Sequence, residues 1–344
     1  MPELQILESI DILKSMHEPV PSARQLRELH PLSQEATESI NAHRNDVRNI
    51  LLGSDTRFLI IAGPCSLDGG QLDEGMFAAV KYSESMRAIM RDHQFSKLFK
   101  FVERCNPAKP RTDVGPRGFE QDNIVLAHSI LTQIATTGNA LTFEIMNDKQ
   151  LARYGDMLSM AWVGARDVSN TDLRHAISAY PDIPFFFKND EYGNMQSAIN
   201  AQRAVAQSHR VEIHDENNQL VHVMASGNHT TGLIDRGGSV RNPSEFMRRM
   251  ESQDVSRLII DTSHFNGAAF DPKNIKSVQG HLDCALSVSE LIETEHRPLG
   301  IMMESYLIAG AGDLPGQSKT DPCLDIEQTV KVLETLARAL TTKT

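Results

Sequence analysis

Phe58-Leu59-Ile60-Ile61-Ala62 runs directly into Gly63-Pro64-Cys65-Ser66. The run is apolar on both faces, so it reads as a strand of a parallel sheet covered on both sides rather than one washed by solvent. Gly63 and Pro64 end it. The same rhythm repeats downstream. Leu98–Val102, Leu141–Ile145, Met160–Val163, Pro184–Phe187, Gly232–Asp235, Leu258–Asp261 and Gly300–Met303 are further short apolar runs. Longer amphipathic stretches separate them: Gln71–His93, Asn123–Thr136, Asp148–Leu158, Thr171–Ala179, Gly193–Ser208, Pro243–Gln253, Asn274–Glu295 and Asp325–Leu340. Strand–helix alternation implies right-handed crossovers, and about eight units is the count of an α/β fold of the (β/α)8 TIM-barrel type. An open doubly wound sheet is the competing reading. One segment breaks the alternation: Arg210–Ile213 and Leu220–Ala225, joined by Asp215-Glu216-Asn217-Asn218, read as a β-hairpin inserted before the sixth strand, about residues 210–225.

Residues 1–55 stand apart from this rhythm and read as helix only. A pattern opens at Ser33-Gln34-Glu35-Ala36, continues through Ile40, Val47 and Ile50, and stops at Gly53. The expected organisation is a helical arm over 1–55, serving oligomerisation or regulation, and a catalytic barrel over 56–344.

Composition narrows the class. In 344 residues the chain has 40% hydrophobic and 23% charged residues, ordinary globular values, and a net charge of −11. That charge, with no strongly basic segment, excludes general affinity for nucleic acid. No apolar run approaches a membrane span. Met1–Leu13 lacks the basic start and apolar core of a secretory signal. Cys65, Cys105, Cys284 and Cys323 are too few for a disulfide framework in a chain this long. A reduced, cytoplasmic setting is expected, with no nucleic-acid or membrane partner.

The strand ends carry the chemistry, as a barrel's active face requires. The second strand feeds Arg104 and the stiff cationic loop Lys109-Pro110-Arg111-Thr112-Asp113-Val114-Gly115. The third ends at Glu144, the fourth at Gly164-Ala165-Arg166, the fifth at Lys188-Asn189 and the sixth at Arg236-Gly237-Gly238; Thr262-Ser263-His264 and Glu304-Ser305 follow the last two. Arg104, Lys109, Arg111, Arg166, Lys188 and Arg236 would repel one another unless anions lie between them, and guanidinium forks suit phosphate and carboxylate. Cys65, His264, Glu304 and an Asp of the last loop such as Asp321 offer one sulfur, one nitrogen and two carboxylates. That mixture suits a borderline divalent metal (Mn2+, Fe2+, Co2+ or Zn2+) better than a structural zinc.

Gly63-Pro64-Cys65-Ser66, Lys109 to Gly115, Gly164-Ala165-Arg166, Phe187-Lys188-Asn189, Ser226-Gly227-Asn228, Arg236-Gly237-Gly238, Asp261-Thr262-Ser263-His264 and Met303-Glu304-Ser305 occur together and in order. In this the chain resembles the type I 3-deoxy-D-arabino-heptulosonate 7-phosphate (DAHP) synthases, the bacterial class with an N-terminal extension, from about Ser33 to Leu340. The resemblance implies a transferase that condenses phosphoenolpyruvate with erythrose 4-phosphate, releasing phosphate, at the entry to the shikimate pathway of aromatic amino acid biosynthesis. It implies metal ligands Cys65, His264, Glu304 and Asp321. Arg104, Lys109, Arg166, Lys188 and Arg236, with the backbone of Gly164 and Ala165, would bind phosphoenolpyruvate. Arg111 and Thr112 would bind the aldose phosphate. Lys109 is the candidate proton donor to the aldehyde oxygen, and Glu144 or a water on the metal would handle the water that adds. The arm and the hairpin would make homodimer or homotetramer contacts and a site for an aromatic amino acid effector.

Departures from the family pattern bear on specificity. Asp167-Val168-Ser169-Asn170-Thr171 replaces the usual Thr-Thr-Glu-Ser-Gln, and Pro116-Arg117 replaces Trp-Lys. These borders of the aldose site leave room for another phosphorylated aldose in a specialised pathway, or for a catalytically silent regulatory homologue. Val211, Glu212, Ile213 and His214 do not match the family's effector-binding sets, so regulation is expected to be altered or absent. Cys65 and Cys323 would both lie near the metal, close enough for a disulfide to be weighed against two separate thiols.

Overall fold

The computed structural model describes residues 20–66, 72–107, 124–238, 242–252, 257–294 and 296–342. Each apolar run identified above is a strand. In chain order they are β1 (Phe58–Gly63), β2 (Phe99–Arg104), β3 (Ala140–Thr142), β4 (Ala161–Val163), β5 (Phe185–Lys188), the hairpin β6 (His209–His214) and β7 (Leu220–Ala225), then β8 (Thr231–Asp235), β9 (Leu258–Asp261) and β10 (Gly300–Glu304). The helices are α1 (Ala23–Leu29), α2 (Gln34–Leu52), α3 (Leu72–Met90), α4 (His93–Leu98), α5 (Ile124–Thr136), α6 (Asp148–Tyr154), α7 (Thr171–Ile177), α8 (Gln196–Val205), α9 (Pro243–Ser252), α10 (Phe265–Ala269), α11 (Val278–Glu293) and α12 (Ile326–Thr342).

Eight strands form one sheet in the order β3-β2-β1-β10-β9-β8-β5-β4, every pair parallel. In an open sheet β3 and β4 would be free edges. Here they meet: Glu144 bridges Trp162, Ile145 N–H donates to the Trp162 carbonyl at 2.8 Å, and Ser159 N–H to the Leu141 carbonyl at 2.9 Å. The sheet is a nearly closed (β/α)8 barrel. β1 shows why its sequence lacks a polar face. Leu59 and Ile61 pack into one buried cluster with α5 residues, while Phe58, Ile60 and Ala62 pack into a second with α11 and α12.

Several elements differ from the sequence expectation. β3 is shorter than Leu141–Ile145, because the last of those residues lie at the seam, where Glu144 makes an isolated bridge to Trp162 rather than a continued ladder. The helix expected from Asn274 begins only at Val278, where the Ser277 hydroxyl accepts from Gly280 N–H, and the unforeseen α10 follows His264 directly. The helix expected over Gln71–His93 ends at Met90, and a separate α4 follows, capped by the Asp92 carboxylate at Gln94 N–H. A small ribbon, β11 (Ile308–Ala311) and β12 (Gln317–Ser318), was also not legible. No described helix is long and apolar enough to cross a membrane.

The arm helix α2 starts at Ser33, whose hydroxyl accepts from Ala36 N–H at 3.1 Å, and ends at Gly53 in the left-handed region. Its Val47, Ile50 and Leu51 join the barrel's own core. Arg44 Nε donates to the Leu158 carbonyl at 2.7 Å, and Lys100 Nζ of β2 lies 2.7 Å from Asp46 Oδ2. α1 reaches the inserted hairpin: Arg24 N–H donates to the Glu216 carbonyl at 2.9 Å, and their side chains pair.

Glu103 of β2 is buried, accepting from Ser83 Oγ at 2.6 Å and Asn139 Nδ2 at 2.9 Å. Burial pushes its pKa up to about 7 despite those donors. The folded state therefore holds a proton that the unfolded chain releases near the ordinary carboxyl pKa. This group's contribution to stability falls as pH rises from the ordinary carboxyl range through 7. Glu103→Gln is expected to flatten that fall, seen as a smaller difference in denaturation midpoint between pH 5 and pH 8. An unchanged difference would place the pH dependence elsewhere.

Candidate active site

Three buried asparagines tie neighbouring strand ends together. Asn106, after β2, donates from Nδ2 to the Cys65 carbonyl at 3.1 Å and accepts Glu144 N–H at 3.1 Å. Asn189, after β5, donates to the Gly237 carbonyl at 2.9 Å and accepts Arg236 N–H at 2.8 Å. Asn266, in α10, donates to the carbonyls of Asp235 at 3.0 Å and Asp261 at 3.1 Å. A primary amide has a donor and an acceptor group, so one side chain can fasten two loops.

The pocket they frame is lined by Arg104, Glu144, Gly164, Ala165, Arg166, Lys188, Glu191, Arg236, His264, Lys276 and Asp321. Trp162, the chain's single tryptophan, is fully buried beneath it. The Arg104 guanidinium carbon lies 5.4 Å from its ring centre and Lys188 Nζ 6.0 Å. Arg104 is 2% exposed and meets Glu304 Oε1 at 3.2 Å. Lys188 Nζ meets Asp261 Oδ2 at 2.5 Å. Burial lowers the Lys188 pKa, and Asp261 opposes that shift. Burial also lowers Arg236, which lies 4.8 Å above the Phe265 ring. Arg166 faces Glu191 across 3.4 Å.

On one side of the pocket, Cys65, Glu304 and Asp321 bring a sulfur and two carboxylate oxygens within 4.8 Å of one another, all buried. Cys65 Sγ donates to Asp321 Oδ2 at 3.2 Å. The last loop is fastened to β10 by Leu324 N–H to the Glu304 carbonyl and Tyr306 N–H to the Leu324 carbonyl, both 2.8 Å, which sets Asp321 opposite Cys65. Two buried carboxylates and a thiol this close suit a cation among them. The donor set fits a divalent metal. His264 lies outside this group of three but lines the same pocket as Asp321. Burial pushes its pKa down to about 3, against the pull of Asp261. Its imidazole is neutral, Nδ1 bonds Asp261 Oδ2 at 2.7 Å, and the lone pair is left on Nε2, the form a metal ligand needs.

The family model described as the DAHP synthetase I family matches residues 31–341. The chain belongs to this family.

Among its relatives, the Trp-sensitive phospho-2-dehydro-3-deoxyheptonate aldolase of Enterobacter agglomerans is 31% identical over 90% of this chain and 92% of its own length. The Trp-sensitive Escherichia coli protein is 29% identical, with 91% and 93% covered. The structure of phospho-2-dehydro-3-deoxyheptonate aldolase from Francisella tularensis superposes with TM-score 0.83 at 25% identity, covering 95% of this chain and 98% of that one.

Of the residues expected in the DAHP synthase site, the fold gathers Arg104, Glu144, Gly164, Ala165, Arg166, Lys188, Arg236, His264 and Asp321 around one pocket, with Cys65 and Glu304 beside Asp321. Lys109, Arg111 and Thr112 lie outside the described residues. The sequence assigned no role to Trp162, Asp261, Glu191, Lys276 and the three asparagines. Asp261 and Asn189 both stood inside motifs of the sequence; Lys276 gave no signal, because it sits in an ordinary polar turn. The divergent segment 167–171 has a structural use: Asn170 Oδ1 caps α7 at Leu173 N–H, and Val168 is fully buried.

A Cβ on Gly164 would lie 1.7 Å from Glu144 Oε1. The obstacle is the tip of a flexible side chain, so substitution moves the carboxylate rather than the backbone. Gly164→Ala is expected to keep the melting temperature within a few degrees while lowering kcat/KM for the family reaction about tenfold or more. Unchanged kinetics would show that the Glu144 position is not used.

Proposed function

We propose that this chain condenses phosphoenolpyruvate with erythrose 4-phosphate to give DAHP and phosphate, the first step of the shikimate pathway, at the pocket described above. The observation that carries this reading is the convergence of Arg104, Arg166, Lys188 and Arg236 beside the Cys65–Glu304–Asp321 group, within a family match across nearly the whole chain.

Phosphoenolpyruvate carries a phosphate and a carboxylate. Arg104 and Lys188, held over Trp162, and Arg166 and Arg236 supply cations for both, with the backbone of Gly164 and Ala165 completing the seat. Arg111 and Thr112 are assigned to the aldose phosphate. A divalent ion (manganese, iron, cobalt or zinc) held by Cys65, Glu304, Asp321 and His264 would supply Lewis-acid polarisation of the aldehyde oxygen. C3 of phosphoenolpyruvate attacks the aldehyde carbon, forming the C–C bond, and Lys109 gives a proton to the aldehyde oxygen. Water adds at the electron-poor C2 with Glu144 accepting its proton, and the C–O bond to phosphate then breaks as the new C2 hydroxyl loses its proton to the leaving phosphate and becomes the ketone. Asn106 anchors the backbone at Glu144 through the Glu144 amide.

An aromatic amino acid is the proposed effector, after the Trp-sensitive relatives. A cleft of about 350 Å³ between the arm, α6 and the hairpin, lined in part by Arg27, Tyr180 and Ile213, has the mixed character it needs. Self-association as a homodimer or homotetramer would use the same elements, whose Leu29, Leu220 and Met224 are exposed. A cytoplasmic location agrees with four buried free thiols.

Phosphate release from phosphoenolpyruvate is expected to require both erythrose 4-phosphate and Mn2+, to stop with chelator, and to fall with tryptophan, phenylalanine or tyrosine. Aldose-independent or chelator-resistant release would overturn the reaction assigned here; indifference to all three amino acids would remove the effector alone. Lys109→Met is expected to lower kcat about 10²-fold or more, and near-normal turnover would move the proton transfer to another group.

A further inference from the structure

Lys276 lies in the turn between α10 and α11 and belongs to no motif of the sequence. Its Nζ is 3.2 Å from Asp321 Oδ1, while the other oxygen of the same carboxylate accepts from Cys65 Sγ at 3.2 Å. Asp321 is thus shared between a thiol and an ammonium. Lys276 also lines the pocket with His264 and Arg104, so it stands among the donors assigned to the metal. Its side chain is 30% exposed and that of Asp321 9%. The ammonium therefore keeps contact with water, while the carboxylate depends on what the protein places beside it.

We propose that Lys276 is a built-in competitor of the metal: it neutralises Asp321 in the metal-free enzyme and opposes the incoming divalent ion by like-charge repulsion. The inference rests on the metal-site reading given above. A thiolate and two carboxylates supply three negative charges, and a divalent ion leaves one. Arg104, 3.2 Å from Glu304, already answers that remainder. The Lys276 charge is then in excess beside the ion, and its effect at a few ångströms in a half-shielded site is large. Binding of the ion must break the Lys276–Asp321 pair or share its carboxylate. The consequence is an ion held more loosely than its donor set alone would hold it, and open to exchange.

The test is direct metal binding by the full chain after chelator stripping. Mn2+ is titrated and the free ion followed by electron paramagnetic resonance, with Co2+ as a second probe whose thiolate charge-transfer band reports Cys65. Lys276→Met is expected to bind both ions about tenfold or more tighter than the natural chain, and Lys276→Arg to bind like it. Because the ammonium is partly exposed, the gap between Lys276→Met and the natural chain should narrow as KCl is raised. A salt-independent gap, or Met affinity equal to or weaker than that of the natural chain, would overturn the competitor role while leaving the metal site standing. Failure of every form to bind either ion stoichiometrically, with no thiolate band, would overturn the metal site and this inference together.

Discussion

Arg104, Arg166, Lys188, Arg236 and Lys276 share one pocket, and their mutual repulsion is the constraint that the rest of the site answers. In water such a cluster would spread. Here each cation has a partner or a platform: Arg104 has Glu304 and Trp162, Lys188 has Asp261 and Trp162, Arg166 has Glu191, Arg236 has Phe265 and Lys276 has Asp321. These partners moderate the repulsion without abolishing the positive field. A triply anionic substrate then meets a surface already arranged for it, which is where preorganised electrostatics are most effective.

Holding that arrangement needs strand ends that do not move. Parallel strands of a barrel register their backbones, but the loops beyond them have no ladder. Asn106, Asn189 and Asn266 extend the register one step further by pairing with loop carbonyls and amides. Gly63 contributes differently: a Cβ there would lie 2.0 Å from the Arg104 carbonyl oxygen, so its absence lets the ends of β1 and β2 approach. The Cys65 loop and Arg104 are consequently placed by the same contact.

The arm and the hairpin attach to this frame at the other elements. α2 shares the barrel core through Val47, Ile50 and Leu51, while α1 grips the hairpin turn at Glu216. His214 of the hairpin bonds Asp148 Oδ2 at 2.7 Å, at the start of α6, the helix that follows β3 and Glu144 in the chain. A contiguous set of packed elements thus runs from the arm to a pocket residue.

What the sequence determined by itself was local and periodic. Apolar runs with no polar face required a covered parallel sheet, their alternation with amphipathic stretches required an α/β succession of about eight units, and Ser33 and Gly53 bounded α2 because capping is a short-range effect. Arg104, Lys188 and Glu304 could be named because each stands at a readable strand end, whereas Asp321 was named as an acid of the last loop and through the family resemblance. What only the tertiary structure decided was long-range pairing. Closure at Glu144 and Trp162, the depth of Trp162 under two cations, the dual bonds of the asparagines, and Lys276 beside Asp321 join residues whose separation along the chain carries no periodic signal. Polar side chains in turns look alike in sequence; which ones become buried partners depends on which strands the closed sheet brings side by side.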